Sequence, residues 1–204
     1  IAAHPEVQQK LNKEIKDVLD SKIRNGLPLR PTYNDIKSMP YLTAVVHETQ
    51  RLCPIAHVLA RETQVSSPTH TSTTTPTLTQ PSPQQQQDDE WNGIPLRKGT
   101  WVTINAYGVQ RSPEHFEDPD AFKPERWMDN RLKNSNSFLH LAFGHGRRGC
   151  FGKPLALMEI KIFAFHLLHR FTLRCHNDDT RLHMEETFGL RPKDNQLWIS
   201  FERK

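Results

Sequence analysis

The sequence predicts a mainly α-helical fold with small β-sheets. Three observations carry that expectation. Stretches 4–25 and 40–54 repeat apolar residues at helical spacing, and an apolar helix follows Cys150. Short alternating runs at 100–106 and in the last thirty residues or so read as strands.

The elements follow in chain order. In 4–25, Val7, Leu11, Ile15, Val18, Leu19 and Ile23 lie on one helix face, which makes it a core-facing surface helix. Pro5 suits its first turn and Gly26 its stop. Residues 27–40 form a linker with a short turn. Ser38 and Pro40 open a second helix with Leu42, Val45, Val46 and Leu52 inward, and Pro54 ends it. On this helix Glu48 and Arg51 stand three apart and share a face. Taken alone, such a pair is a solvated ion pair of about 0.3–0.5 kcal/mol. A buried pair would need further partners.

Residues 53–65 leave the helix and become extended. Residues 66–90 are rich in Ser, Thr and Pro, then Gln, then acids, without Lys or Arg. So few bulky apolar residues cannot order a segment, and the expectation is a disordered insert. Lengthening a loop costs only ~0.6 kcal/mol per doubling, so the flanking strands can still pair. Asn92-Gly93 marks a hairpin turn. Val102, Ile104 and Ala106 alternate with Thr103 and Asn105 as a half-buried strand. Residues 111–127, rich in Pro and acids, read as an ordered meander rather than a helix. The helix after Cys150 carries Leu155, Leu157, Ile160, Ile162, Phe163, Phe165, Leu167 and Leu168 on most sides, so it is expected to be buried.

The chemistry concentrates in 143–152, where four glycines surround one cysteine and two arginines. Glycines let a backbone curl and aim N–H groups at an anion. Pro154 opens the next helix, so Cys150 lies near a helix N-terminus, and that position together with Arg147 and Arg148 favours a thiolate. Three readings compete. The first is a buried cysteine in a tight turn. The second is a dinucleotide loop, because Gly144-x-Gly146-x-x-Gly149 matches that fingerprint formally. Its helix starts late, however, arginines occupy the turn, and too little chain follows for a doubly wound sheet. The third is ligation of haem by the thiolate, since the loop offers a ligand, room and cations for propionates.

Phe143-x-x-Gly146-x-Arg148-x-Cys150-x-Gly152 resembles the haem-binding signature of the cytochrome P-450 family, with every fixed position present. Glu48-x-x-Arg51 upstream resembles the family's ExxR pair. Phe122-Lys123-Pro124-Glu125-Arg126-Trp127 resembles its PERF-type segment, with Trp127 where Phe is usual. Ile94-Pro95-Leu96-Arg97-Lys98-Gly99-Thr100 resembles a strand pair of the same family. The motifs stand in the family's order, and the resemblance covers nearly the whole chain outside 66–90.

That resemblance implies the C-terminal part of a single cytochrome P-450 domain, spanning 1–204 and interrupted at 66–90. Cys150 would be the axial ligand of haem b (iron protoporphyrin IX). Arg148 and Arg61 would pair with propionates, and Phe143, Gly146 and Gly152 would shape the cofactor site. Glu48, Arg51 and Arg126 would form a structural cluster. Ala56, His57, Val58, Leu59, Phe188 and Gly189 would line a substrate pocket. The activity implied is a monooxygenase: one atom of O2 enters a small apolar organic substrate, with electrons from a flavoprotein NADPH reductase or a ferredoxin. The family's distal oxygen-handling helix has no counterpart in these residues, so the isolated chain is expected to be inactive and to hold haem weakly. A haem-thiolate isomerase or dehydratase, or a non-catalytic truncated gene product, are the alternatives. The family places the parent protein at the endoplasmic-reticulum membrane, facing the cytosol.

Composition agrees with one domain: 204 residues, net charge +4, and 35% hydrophobic content lowered by the polar stretch. There is no basic tract, and nucleic acid is not indicated. Cys53, Cys150 and Cys175 are three cysteines without CxxC spacing, which argues against a disulfide framework or a zinc site and for reducing surroundings. Lys153 and Lys161 could face an electron donor but read by default as solvated charges. The chain begins on Ile1 inside a helical pattern, with no signal peptide or bilayer-spanning run, and a longer parent is expected.

Overall fold

The computed structural model describes residues 1–63, 89–128, 139–175, 184–186 and 189–204. Most of 66–90 and Phe188 lie outside the described residues. The chain divides into two compact units, Ile1–His57 with Ala106–Lys204, and Val58–Asn105.

Among the described residues, three long helices and two short ones build the larger unit. Helix α1 (Pro5–Arg24) buries Val7, Leu11, Ile15 and Leu19, four positions at the 3–4 residue spacing of one face. Helix α2 (Tyr33–Lys37) lies in what the sequence reads as linker. It is only five residues long, and a reciprocal capping box between Thr32 and Asp35 fixes its start. Helix α3 (Pro40–Leu52) has no side-chain cap of its own. Glu14 of α1 supplies one: its carboxylate accepts from the N–H groups of Tyr41 (2.7 Å) and Leu42 (2.8 Å). A carboxylate there satisfies orphan donors and meets the positive end of the helix.

After the short helix α4 (Ala106–Val109), a meander reaches a 3-10 turn at Pro124–Trp127, and another 3-10 turn stands at Gly146–Arg148. Helix α5 (Lys153–Arg170) completes the core. Its Phe165 and Leu168 join Leu11, Ile15, Ile36, Met39, Leu42, Val45 and Leu173 in one apolar cluster. Burial of such side chains contributes about 1.5–3 kcal/mol each. Strands β5 (Phe171–Cys175) and β8 (Ile199–Arg203) pair antiparallel from Phe171 opposite Arg203 to Cys175 opposite Ile199. The buried amide of Gln8 on α1 completes this ladder: it donates to Leu173 O at 3.0 Å and accepts from Leu173 N at 2.7 Å. Strands β6 (Met184–Glu186) and β7 (Leu190–Pro192) form a second antiparallel pair.

The smaller unit holds β1 (Val58–Glu62) paired antiparallel with β4 (Trp101–Asn105), and β2 (Asp89–Trp91) with β3 (Ile94–Leu96). Asn92 and Gly93 both have positive φ, 49° and 80°, as a tight two-residue hairpin turn requires. Ala106, read from alternation as the end of a strand, instead begins α4.

Helix α5 departs from expectation. Leu155 is 64% and Phe163 68% exposed, and Ile160 and Ile162 are also open. One face packs on α1 and α3; among the described residues, nothing covers the other. An all-round apolar composition states what a helix can bury, whereas its burial depends on which partners are present. No helix among the described residues is long and apolar enough to cross a membrane.

Candidate functional site: a cysteine loop backed by a buried acid–arginine cluster

Glu48 and Arg51 project from α3 into the interior, and both are 0% exposed. The three-residue spacing brings them together in a two-pronged ion pair. Arg51 Nε donates to Glu48 Oε2 at 2.9 Å and Nη2 to Oε1 at 2.8 Å. Planar forks match carboxylates in this way. Arg51 Nη1 donates to the carbonyls of Gln110 (2.8 Å) and Pro119 (2.6 Å), and Nη2 to Ala121 (3.1 Å). All five guanidinium N–H groups therefore have acceptors.

The meander completes the carboxylate's side. Arg126 Nε reaches Glu48 Oε1 at 3.1 Å, and Lys123 N reaches the same oxygen at 2.9 Å. Trp127 Nε1 donates to Oε2 at 2.8 Å. The Phe116 ring lies under both guanidinium groups, 5.0 Å from Arg51 and 5.9 Å from Arg126. Burial would raise the Glu48 carboxyl, but hydrogen bonds from Arg51, Lys123 N–H and Trp127 outweigh it and hold the group below its ordinary value. Glu48, Arg51 and Arg126 thus meet at one point. Trp127, read from the sequence only as a departure from the usual Phe, is a further donor to the same carboxylate.

Gln110 carries the order of this cluster toward the cysteine loop. It is wholly buried. Its Nε2 donates to Arg51 O at 3.2 Å, and its Oε1 accepts from Leu141 N at 2.7 Å. One side chain thereby ties the end of α3 to the residue two before Phe143. A lone glutamine in a polar meander gives no periodic signal, so the sequence does not reveal it.

Beyond Leu141 the backbone folds into a curled loop. Gly144 N donates to Leu141 O at 2.9 Å, Gly149 N to Gly146 O at 3.0 Å, and Cys150 N to Phe143 O at 2.8 Å. Gly144 and Gly146 have φ of 67° and 66°, a region that side chains other than glycine's rarely adopt. Cys150 is a free, exposed thiol beside the N-terminus of α5. At Gly152 a Cβ would lie 3.8 Å from the Cys150 sulfur, so glycine leaves that flank of the sulfur open. Arg148 and Gly146 are exposed, Phe143 is half-buried, and Phe151 is 99% exposed. A solvent-facing soft sulfur donor with arginines alongside is a donor set that fits a haem iron and its propionates. Among the described residues, no group of three His, Cys, Asp or Glu forms a metal site of another kind.

The residues expected to line a pocket fall in both units. Ala56 is exposed and His57 half-buried. Near them Gly189 approaches closely: a Cβ there would stand 2.7 Å from Ile55 O, and Leu190 N donates to the same oxygen at 3.2 Å. The smaller unit carries Val58 (exposed) and Leu59 (half-buried) on β1. Arg61, on the same strand, is exposed, and its Nη1 donates to Ala60 O at 2.7 Å.

The site is thus an open cysteine at a helix start, held by a glycine-curled loop on a mainly helical frame with small antiparallel sheets. A family profile described as Cytochrome P450 matches residues 1–70 and 75–199. The chain is 31% identical over 194 residues to cytochrome P450 3A15 of Cavia porcellus. It is 33% identical to cytochrome P450 3A6 of Oryctolagus cuniculus and 30% to cytochrome P450 3A11 of Mus musculus, over the same length. Each match covers 95% of this chain and 33% of the relative. The chain belongs to the cytochrome P450 family, and it spans about a third of the length of these relatives.

Proposed function

We propose that this chain contributes the thiolate side of a haem monooxygenase that places one oxygen atom from O2 into a small apolar organic substrate. The observation that carries the reading is the exposed Cys150 sulfur on a loop curled at Gly144 and Gly146, whose positive φ other residues rarely adopt. Haem b, when bound, supplies the oxygen chemistry, and a thiolate ligand favours O–O cleavage.

The chain's own residues do the holding. Cys150 would ligate the iron, Arg148 would pair with a propionate, and Phe143, Gly146 and Gly152 would keep the loop's shape. Glu48, Arg51 and Arg126 fix the meander, and Gln110 passes that order to Leu141. The roles proposed for Arg61, Val58, Leu59, Ala56, His57, Phe188 and Gly189 rest on the family resemblance. The same resemblance supports electron supply by a flavoprotein NADPH reductase or a ferredoxin, and a parent protein at the cytosolic face of the endoplasmic reticulum. We further propose that these 204 residues alone do not turn over substrate, because they span only 33% of the matched relatives.

Labelled oxygen tests the reading. With 18O2, NADPH and a reductase, the protein expressed from its whole coding sequence is expected to place one labelled atom in product and the other in water. Turnover without NADPH, as a haem-thiolate isomerase or dehydratase would show, contradicts it. Stable haem binding with turnover by the 204 residues alone contradicts the proposal of inactivity.

A further inference from the structure

Gln110 is held first by its main chain. Its N–H donates to Ala106 O at 3.0 Å, and its carbonyl accepts from Arg51 Nη1 at 2.8 Å. A guanidinium keeps its charge at every working pH, so that second bond does not titrate away. The side-chain amide then spans two backbone groups of fixed polarity. Leu141 N–H can only donate and Arg51 O can only accept. The amide therefore turns its oxygen to Leu141 N at 2.7 Å and its nitrogen to Arg51 O at 3.2 Å. The same nitrogen reaches Gln50 O at 3.5 Å. Gln110 is wholly buried, so water does not replace either partner.

Leu141 is the buried foot of the cysteine loop. Its carbonyl accepts from Gly144 N at 2.9 Å, and Phe143 O accepts from Cys150 N at 2.8 Å. The N–H of Gly144 and the C=O of Phe143 belong to one planar peptide unit, so fixing one end fixes the other. Held by Leu141 on one side, that plane presents its carbonyl to the Cys150 backbone on the other. The Cys150 thiol itself is exposed, so packing around the sulfur does not set its place.

We propose that Gln110 is a positioning residue for Cys150. Its amide sets Leu141, Leu141 sets the Phe143–Gly144 peptide plane, and that plane sets the backbone that carries the sulfur. The consequence for haem rests on the function proposed above, whereas the anchoring of the loop does not depend on it.

The test uses the protein expressed from its whole coding sequence. Gln110→Met keeps nearly the length and volume of the side chain and removes both hydrogen bonds. Gln110→Asn keeps the amide on a stem too short to close both. Native-state hydrogen exchange resolved to single amides should show Leu141, Gly144 and Cys150 exchanging about tenfold faster in each variant. The reduced carbon monoxide complex should pass in part from a thiolate-type spectrum to that of a neutral ligand, with haem still bound. Leu11→Ala controls for a purely structural role, because it removes core packing on α1. It should lower the unfolding midpoint and leave those amides and the spectrum as in the parent. Where Gln110→Met does not fold, Gln110→Asn is read by the same measurements. Unchanged exchange at these amides overturns the proposal, as does a parent Leu141 amide that exchanges like an unprotected one. Leu11→Ala altering amides and spectrum as much as the Gln110 variants do also overturns it. Faster exchange with an unchanged spectrum overturns the step from loop to sulfur. A parent without a thiolate-type spectrum counts against the haem reading alone, and the exchange rates still decide the anchoring.

Discussion

Two regions of this molecule treat their polar groups in opposite ways. The Glu48–Arg51 pair is wholly buried, every N–H of Arg51 has an acceptor, and Glu48 collects donors from α3 and the meander. The Cys150 loop is exposed, and its shape rests on glycine conformations and a few backbone hydrogen bonds. The difference separates stability from chemistry. A saturated network has one arrangement and suits positioning, whereas an open sulfur can accept a ligand. Gln110 connects the two.

The largest effect should come from breaking the network. Arg51→Ala leaves Glu48 buried without its main counter-charge, and urea unfolding should show a loss of about 3–5 kcal/mol. A loss below 1 kcal/mol would place the pair among ordinary surface ion pairs. Trp127→Phe restores the residue usual in the family but removes the indole donor to Glu48. It should cost about 1.5–3 kcal/mol in the same measurement.

Acidification should act more gradually and in two windows. His47 and His140 are held near 4 against an ordinary 6.5, chiefly by burial, with Lys161 and then Lys153 adding at His47, His47 and then Lys153 adding at His140, and Glu48 opposing at His140. Between those values the unfolded chain binds protons that the folded chain refuses, so stability falls as pH drops from 6.5 toward 4. Glu48 adds a second loss below its ordinary 4.5, because its folded value is depressed and the unfolded carboxyl protonates first. Thermal melts across that range should show both, and His47→Phe/His140→Phe should remove only the upper window. The smallest stability effect belongs to the open loop. Arg148→Ala should change unfolding by no more than about 0.5 kcal/mol, since its side chain is solvent-facing.

The same contrast decides what the sequence could reveal. Glu48 and Arg51 are legible because helical spacing puts them on one face, and Arg126 because it sits in a recognisable segment. The glycine pattern around Cys150 announces a curled loop directly. Trp127 is readable only in principle: an indole is a donor-only group, and next to a buried carboxylate it has somewhere to donate. Gln110 and Glu14 act across 31 and 27 residues, on Leu141 N and Tyr41 N, and no local pattern encodes such a contact. The open face of α5 escapes the sequence for a related reason, because hydropathy describes one surface and burial needs two.

The proposed bond between the Cys150 sulfur and haem iron carries the functional reading. The carbon monoxide difference spectrum of the reduced protein, expressed from its whole coding sequence, tests it most directly against Cys150→Ser. A thiolate-type spectrum is expected in the parent and is expected to disappear in Cys150→Ser, with the fold retained. A thiolate-type spectrum that survives Cys150→Ser would contradict it and move the ligand to another cysteine.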